Sequence, residues 1–213
     1  QRYFLEVNLQ YLAHTAQVVQ TISFTNSTGQ SLTEIPLVVP PQRLNGAFRL
    51  NSLSWADGEP ILNYQLRQGL LTIYPDEPLK SNETILLMFS YDLNIPFSQS
   101  TFGFSEDQIL MDNWYPFIPP YEPDKGWIIN EPSTYGEYLA YPLSSFEVLI
   151  RVDDPNVIIA APGDYSALED GAYYELAQAR RFAFALSPKF EQVTQANDNY
   201  SVEFFALNGH EPY

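Results

Sequence analysis

Residues 3–24 read YFLEVNLQYLAHTAQVVQTISF, and their period decides the fold class. Tyr3, Leu5, Val7, Leu9 and Tyr11 fall on one side of an extended chain, with Glu6, Asn8 and Gln10 on the other. Successive side chains of a strand point to opposite faces, so this alternation predicts a half-buried β-strand. A second strand is predicted over 18–24. It runs into Asn26, Ser27, Thr28 and Gly29, a turn in which glycine is free to take positive φ, and the chain then resumes extended.

The same reading extends along the chain. Strands are predicted over 48–53, 61–66, 70–74 and 84–93, then over 145–152, 157–160, 172–176, 181–186 and 201–207. Between them lie turn signals such as ADGEP, RQGL, PDEPLKSNE, DDPN and LEDGA. Seventeen prolines make long helices improbable, and 15% aromatic residues favour pleated, half-buried surfaces. Only ELAQAR, residues 175–180, suggests a turn of helix. No repeat or low-complexity linker divides the chain. The expectation is one all-β domain over 1–213, an antiparallel sandwich or barrel-like fold of many short strands.

Composition excludes several functions. The formal charge is −16, from 26 acidic and 10 basic residues, so phosphate backbones and anionic membrane surfaces are disfavoured as partners. No cysteine is present, which removes disulfides, thiolate metal sites and cysteine nucleophiles. No apolar run approaches membrane-spanning length. The chain opens at Gln1 without Met, as a mature or trimmed fragment from which an export signal has been removed would. The compartment stays open.

A catalytic constellation is not legible. The two histidines, His14 and His210, lie at opposite ends, and H-E-x-x-H is absent. His14 is expected in an exposed turn. The pairs Glu106/Asp107, Asp153/Asp154 and Glu169/Asp170 do not by themselves make a glycosidase, and the last two read as turns. Asn26, Asn82 and Asn199 open N-x-S/T triplets, which matter only in a glycosylating host.

One stretch has no strand or helix period: DNWYPFIPPYEPDKGW, residues 112–127, with two Trp, two Tyr, one Phe and four Pro. So long a connection is either functional or pinned by its own side chains. Trp114, Tyr115 and Trp127 are expected to serve partly as inward anchors. Part of 117–127 is expected outside, as an aromatic platform for a sugar or a neighbouring domain.

Taken in order, several segments are similar to zinc aminopeptidases of the aminopeptidase N type. YFLEVNLQYLAHTAQVVQTISFTNSTGQSLTEIPLVVPP resembles the opening of their N-terminal β domain. TFGFSEDQILMDNWYPFIPPYEPDKGW resembles the FGY…NWYP…GW segment of bacterial members, and VIIAAPGDY and ARRFAFALSPKFEQVT resemble stretches near that domain's end. The resemblance covers nearly the whole chain. It implies a saddle-like, non-catalytic domain that packs on a downstream catalytic domain and shapes peptide access to it. That domain would carry H-E-x-x-H and the zinc. This chain, stopping at VEFFALNGHEPY, would hold no metal or cofactor and no catalytic residue. In such enzymes a Gln or Glu ahead of the aromatic-Pro segment grips the substrate's free amine. The positions matching it here are Glu106, Asp107 and Gln108, although the Q-x-x-x-x-R pattern is absent. The resemblance places Trp114, Tyr115, Pro116, Phe117, Tyr121 and Trp127 at the contact between domains. The rival reading is a free-standing carbohydrate- or ligand-binding sandwich that uses the same aromatic run.

Overall fold

The computed structural model describes residues 1–133, 136–197 and 201–207. In chain order its strands are β1 (Arg2–Gln10), β2 (Thr15–Thr25), β3 (Ile35–Val38), β4 (Phe48–Trp55), β5 (Tyr64–Arg67) and β6 (Leu70–Ile73). Next come β7 (Thr84–Asn94), β8 (Phe102–Phe104), β9 (Ile109–Met111), β10 (Tyr121–Glu122), β11 (Gly126–Trp127) and β12 (Ser144–Val152). The last are β13 (Ile158–Ala160), β14 (Asp164–Leu168), β15 (Gly171–Ala179), β16 (Phe184–Ser187), β17 (Phe190–Ala196) and β18 (Ser201–Leu207). Helix is confined, among the described residues, to one 3₁₀ turn at Pro40–Arg43, and no helix there is long and apolar enough to cross a membrane. The protein is all-β, as its period predicts.

The main sheet has seven strands in the order β14-β15-β12-β1-β2-β7-β4. β1 and β2 pair antiparallel with Val7 opposite Val18, so Tyr3, Leu5, Val7 and Leu9 share the buried face with Ala16, Val18, Ile22 and Phe24. Two smaller sheets, β3-β6-β5 and β13-β16-β9-β8, contribute to the same core cluster through Ile35, Leu37, Leu71 and Ile73 and through Ile109, Met111, Phe184 and Leu186. β10-β11 and β17-β18 are separate hairpins.

Three expectations are corrected. The main sheet is not wholly antiparallel: β1 pairs parallel with β12, Val7 opposite Ile150. Period two reports burial, not the direction of a partner. ELAQAR does not turn helically, because 175–179 form the end of β15, hydrogen-bonded to β12, and ladder bonding overrides local helix propensity. His14 does occupy a turn, at φ 53°, but it is half-buried, with its ring stacked on Phe104 at 3.4 Å.

Candidate functional site

The aromatic run lies inside the molecule. Trp114 is 0% exposed, and Tyr115, Pro116, Phe117 and Ile118 are buried beside it. A buried irregular segment must satisfy its peptide groups without a ladder of its own, and here core side chains and neighbouring strands do so. Gln20 Nε2 donates to the Pro116 carbonyl at 2.7 Å, and Ile118 N–H donates to the Tyr3 hydroxyl at 3.3 Å. Gln1 Nε2 donates to the Ile118 carbonyl, and Phe117 exchanges both backbone bonds with Val38. In return the run supports the last third of the chain: Trp114 Nε1–H donates to the Phe182 carbonyl, and the Tyr115 hydroxyl accepts the Phe182 N–H. The rings continue this packing, with Tyr3 stacked on Phe146 and Trp114 edge-on to Phe184. Burial pushes the Tyr3, Tyr91, Tyr115 and Tyr141 phenols above their ordinary range, so all four stay neutral.

Trp114, Tyr115, Pro116 and Phe117 are therefore not available to a partner. Tyr121 and Trp127 are half-buried, packed edge to face at 5.2 Å on the β10-β11 hairpin. Part of 117–127 does lie outside, at residues 122–125, whereas Phe117 is held inside, with Tyr141 stacked on its ring and Val38 pairing its backbone.

Glu106, Asp107 and Gln108 do come together, in the turn between β8 and β9 closed by Ser105 N–H to the Gln108 carbonyl at 2.9 Å. All three line a cleft of about 530 Å³. Asp107 is already engaged: Lys189 Nζ sits 2.5 Å from its carboxylate, and the Ser187 hydroxyl donates to its carbonyl. The hydrogen bond that Lys189 donates to Asp107 is the main influence raising its ammonium pKa. Glu106 is exposed, and it lines the cleft with Gln108; neither side chain makes a hydrogen bond, although the Lys189 ammonium lies close enough to feel the Glu106 charge. A carboxylate beside an amide carbonyl is a suitable pair of acceptors for an ammonium group.

A second feature was not legible in the sequence. Across the four-stranded sheet, Ala160 pairs with Ala185, Ala185 with Leu110 and Leu110 with Gly103. The inward rows on either side, Phe184 with Met111 and Leu186 with Ile109, are buried, so this row points outward. Ala160, Ala185 and Leu110 are half-buried on this face, while Ser98 covers it at Gly103. Leu110 borders the Glu106–Gln108 cleft on one side and a shallow apolar cleft with Asp112 and Phe184 on the other. Beyond it Arg181 holds both Asp112, at 3.3 Å, and Glu137. Burial nonetheless raises the Asp112 pKa, the opposing Arg181 charge being the lesser influence. At the other end Gly103 admits no side chain, because a Cβ there would meet Ser98 at 2.7 Å. The β17-β18 hairpin also leaves apolar side chains outside, with Val193 53% and Phe204 42% exposed as a cross-strand pair.

Of the glycosylation triplets, Asn26 is excluded: it is wholly buried, with Nδ2 donating to the Gln30 and Leu79 carbonyls. Asn82 is exposed at φ 66°. Asn199 and His210 lie outside the described residues. Asp154 caps its own turn through Asn156 N–H, and Asp170 pairs with Arg151. No group of three His, Cys, Asp or Glu gathers as a metal site among the described residues.

No family model and no curated protein matches the chain. Solved structures do. The M1 zinc metallopeptidase from Deinococcus radiodurans aligns with a TM-score of 0.62 at 12% identity, over 95% of this chain and 46% of that one. A mutant of the Deinococcus radiodurans enzyme bound to a Tyr-Ser-Ala substrate aligns with a TM-score of 0.56 at 14% identity over the same shares. A two-domain M1 zinc metallopeptidase mutant bound to L-arginine aligns at 0.57 and 14%. At such identity the likeness is one of fold. The chain spans less than half the length of these structures, which fits the N-terminal β domain that the sequence resemblance implies.

Proposed function

We propose that this chain is the non-catalytic N-terminal β domain of an M1-type zinc metallopeptidase. In this reading it docks on the catalytic domain through the outward face of the four-stranded sheet and holds the free amine of a peptide in the adjoining cleft. The observation that carries the proposal is the alignment of 95% of the chain with under half of a zinc metallopeptidase, together with two acceptors, Glu106 and Gln108, lining a cleft beside the outward row of the four-stranded sheet. Such a face suits docking because another backbone can approach it closely, and the exposed Val193–Phe204 pair gives a second apolar surface for the same partner. Glu106 and Gln108 are the amine acceptors, with Asp107 held back by Lys189. Zinc belongs to the catalytic domain, so the isolated chain is expected to hydrolyse no peptide and to retain no stoichiometric zinc after dialysis.

The test uses the full-length protein. Its coding sequence is expected to run on past Tyr213 into H-E-x-x-H and a later helical Glu. Leu110→Asp and Ala185→Arg should loosen the catalytic domain and lower turnover. Gln108→Leu with Glu106→Leu should raise KM for peptides with a free amine, at unchanged domain association. A gene that lacks the zinc motif overturns the proposal.

A further inference from the structure

The β10-β11 hairpin bounds a cleft that the proposed docking and amine sites do not use, and a proline mismatch opens it. Val38 and Phe117 form one antiparallel bridge. Two residues further on the same ladder would pair Pro36 with Pro119, and neither carries an N–H, so the strands part. The opening, about 580 Å³, is floored by Leu70 and Thr72 of β6 and walled by Tyr121 and Trp127. Phe24 braces Trp127 from behind at 6.2 Å. Around it stand Gln30, Ser31 and Thr33, and, like Thr72, their side chains have no protein hydrogen-bond partner.

We infer that this cleft binds a neutral oligosaccharide, a pyranose ring lying against Trp127 while its hydroxyls reach the Gln30 amide and the Ser31, Thr33 and Thr72 hydroxyls. Three arguments select that chemistry. An aromatic wall receives the apolar C–H face of a sugar ring, while uncharged amides and hydroxyls, with the Glu34 carboxylate beside them as a further acceptor, receive its rim. The nearby cation, Lys125, is paired to Glu122 at 2.6 Å, and the chain carries −16, so a phosphate or sulfate finds no site. A peptide strand cannot extend the sheet at Pro36, which has no N–H to donate.

The experiment titrates the ¹⁵N-labelled chain with maltohexaose, cellohexaose, xylohexaose, mannohexaose and N-acetylchitohexaose. It follows the three indole N–H signals of Trp55, Trp114 and Trp127. At least one sugar should shift Trp127 saturably and leave Trp114 in place. Trp127→Ala should weaken binding about tenfold or more, close to 1.4 kcal/mol. Because Phe24 loses its neighbour in that variant, Thr72→Val and Ser31→Ala are tested alongside. They remove only hydroxyls and should each weaken binding severalfold at unchanged melting temperature. If no sugar shifts Trp127, or if binding survives all three substitutions, the inference is wrong. The same holds if a sulfated sugar or a peptide binds there and the neutral sugars do not.

Discussion

Gln20 is a wholly buried amide at an inward position of β2, between Val18 and Ile22. It accepts the Tyr91 hydroxyl at 2.9 Å and donates to the Pro116 carbonyl at 2.7 Å, so it ties the aromatic run to the middle of the main sheet. Gln20→Leu keeps the volume and strands both partners. A buried polar group left unpaired costs about 1–3 kcal/mol, and the added apolar contact returns about 1 kcal/mol. For two stranded groups the net loss is about 1–5 kcal/mol. With a urea slope of about 2 kcal/mol/M, the midpoint falls by about 0.5–2.5 M. The sharper test is the sign of a second substitution. In the native background Tyr91→Phe unpairs the Gln20 carbonyl oxygen and should destabilise. In the Gln20→Leu background it removes a stranded hydroxyl and should stabilise. Equilibrium urea unfolding of all four proteins closes the cycle. If Tyr91→Phe destabilises equally in both backgrounds, Gln20 is not the partner that matters and the pinning argument fails.

Trp114→Ala should cost about 3–5 kcal/mol in the same assay, because it empties a fully enclosed site and unpairs the Phe182 carbonyl. Trp127→Ala, at a half-buried ring, should cost less, and an equal cost would contradict the packing described. Arg43 has its Nε and Nη1 buried without a hydrogen-bond partner, beneath the Tyr138 ring. Arg43→Met should therefore leave the melting temperature unchanged or raise it, and a clear fall would show that the charge is compensated. Two aspartates should respond oppositely to pH. Hydrogen bonds from Arg49, above all, hold the Asp92 pKa below its ordinary value. Its stabilisation is present above the unfolded carboxyl pKa and is lost as pH falls through the lowered folded value. Burial raises the Asp112 pKa, so its contribution improves as pH falls through that raised value. Calorimetric melts at about pH 7 and about pH 3 should show Asp92→Asn destabilising mainly at the higher pH. Asp112→Asn should be better tolerated at the higher pH than at the lower.

How much of this was legible follows from burial. Strands with one face in the core, β1, β2, β7 and β12, alternate clearly and were readable within a few residues. β14 and most of β17 are exposed on both faces, so burial imposed no period on them and they were missed. β8 and β9 have three residues each, too few to show one. The outward face of their sheet escaped notice because Gly103, Ala160 and Ala185 carry no amphipathic signal. Glu106, Asp107 and Gln108 were placed by resemblance, and only coordinates reveal that Lys189, eighty-two positions from Asp107, neutralises one of them. Gln20 was findable: a polar residue on the inward side of an otherwise apolar strand asks for buried partners.

The parallel seam between β1 and β12 has a consequence for how the chain is made. One half of the main sheet, β1-β2-β7-β4, is complete once residue 94 has emerged, and the other half, β12-β15-β14, begins only at residue 144. At ribosomal speeds of about 5–20 residues per second, β1 waits roughly 3–10 s as an open edge. Its outward-directed N–H and C=O groups then have no sequence neighbour to pair with. The seam closes across some 140 residues, the slow, non-local kind of pairing that limits folding rate. A variant that weakens this seam should therefore aggregate during synthesis in proportion to translation pauses between residues 94 and 152, even where the finished fold tolerates the change.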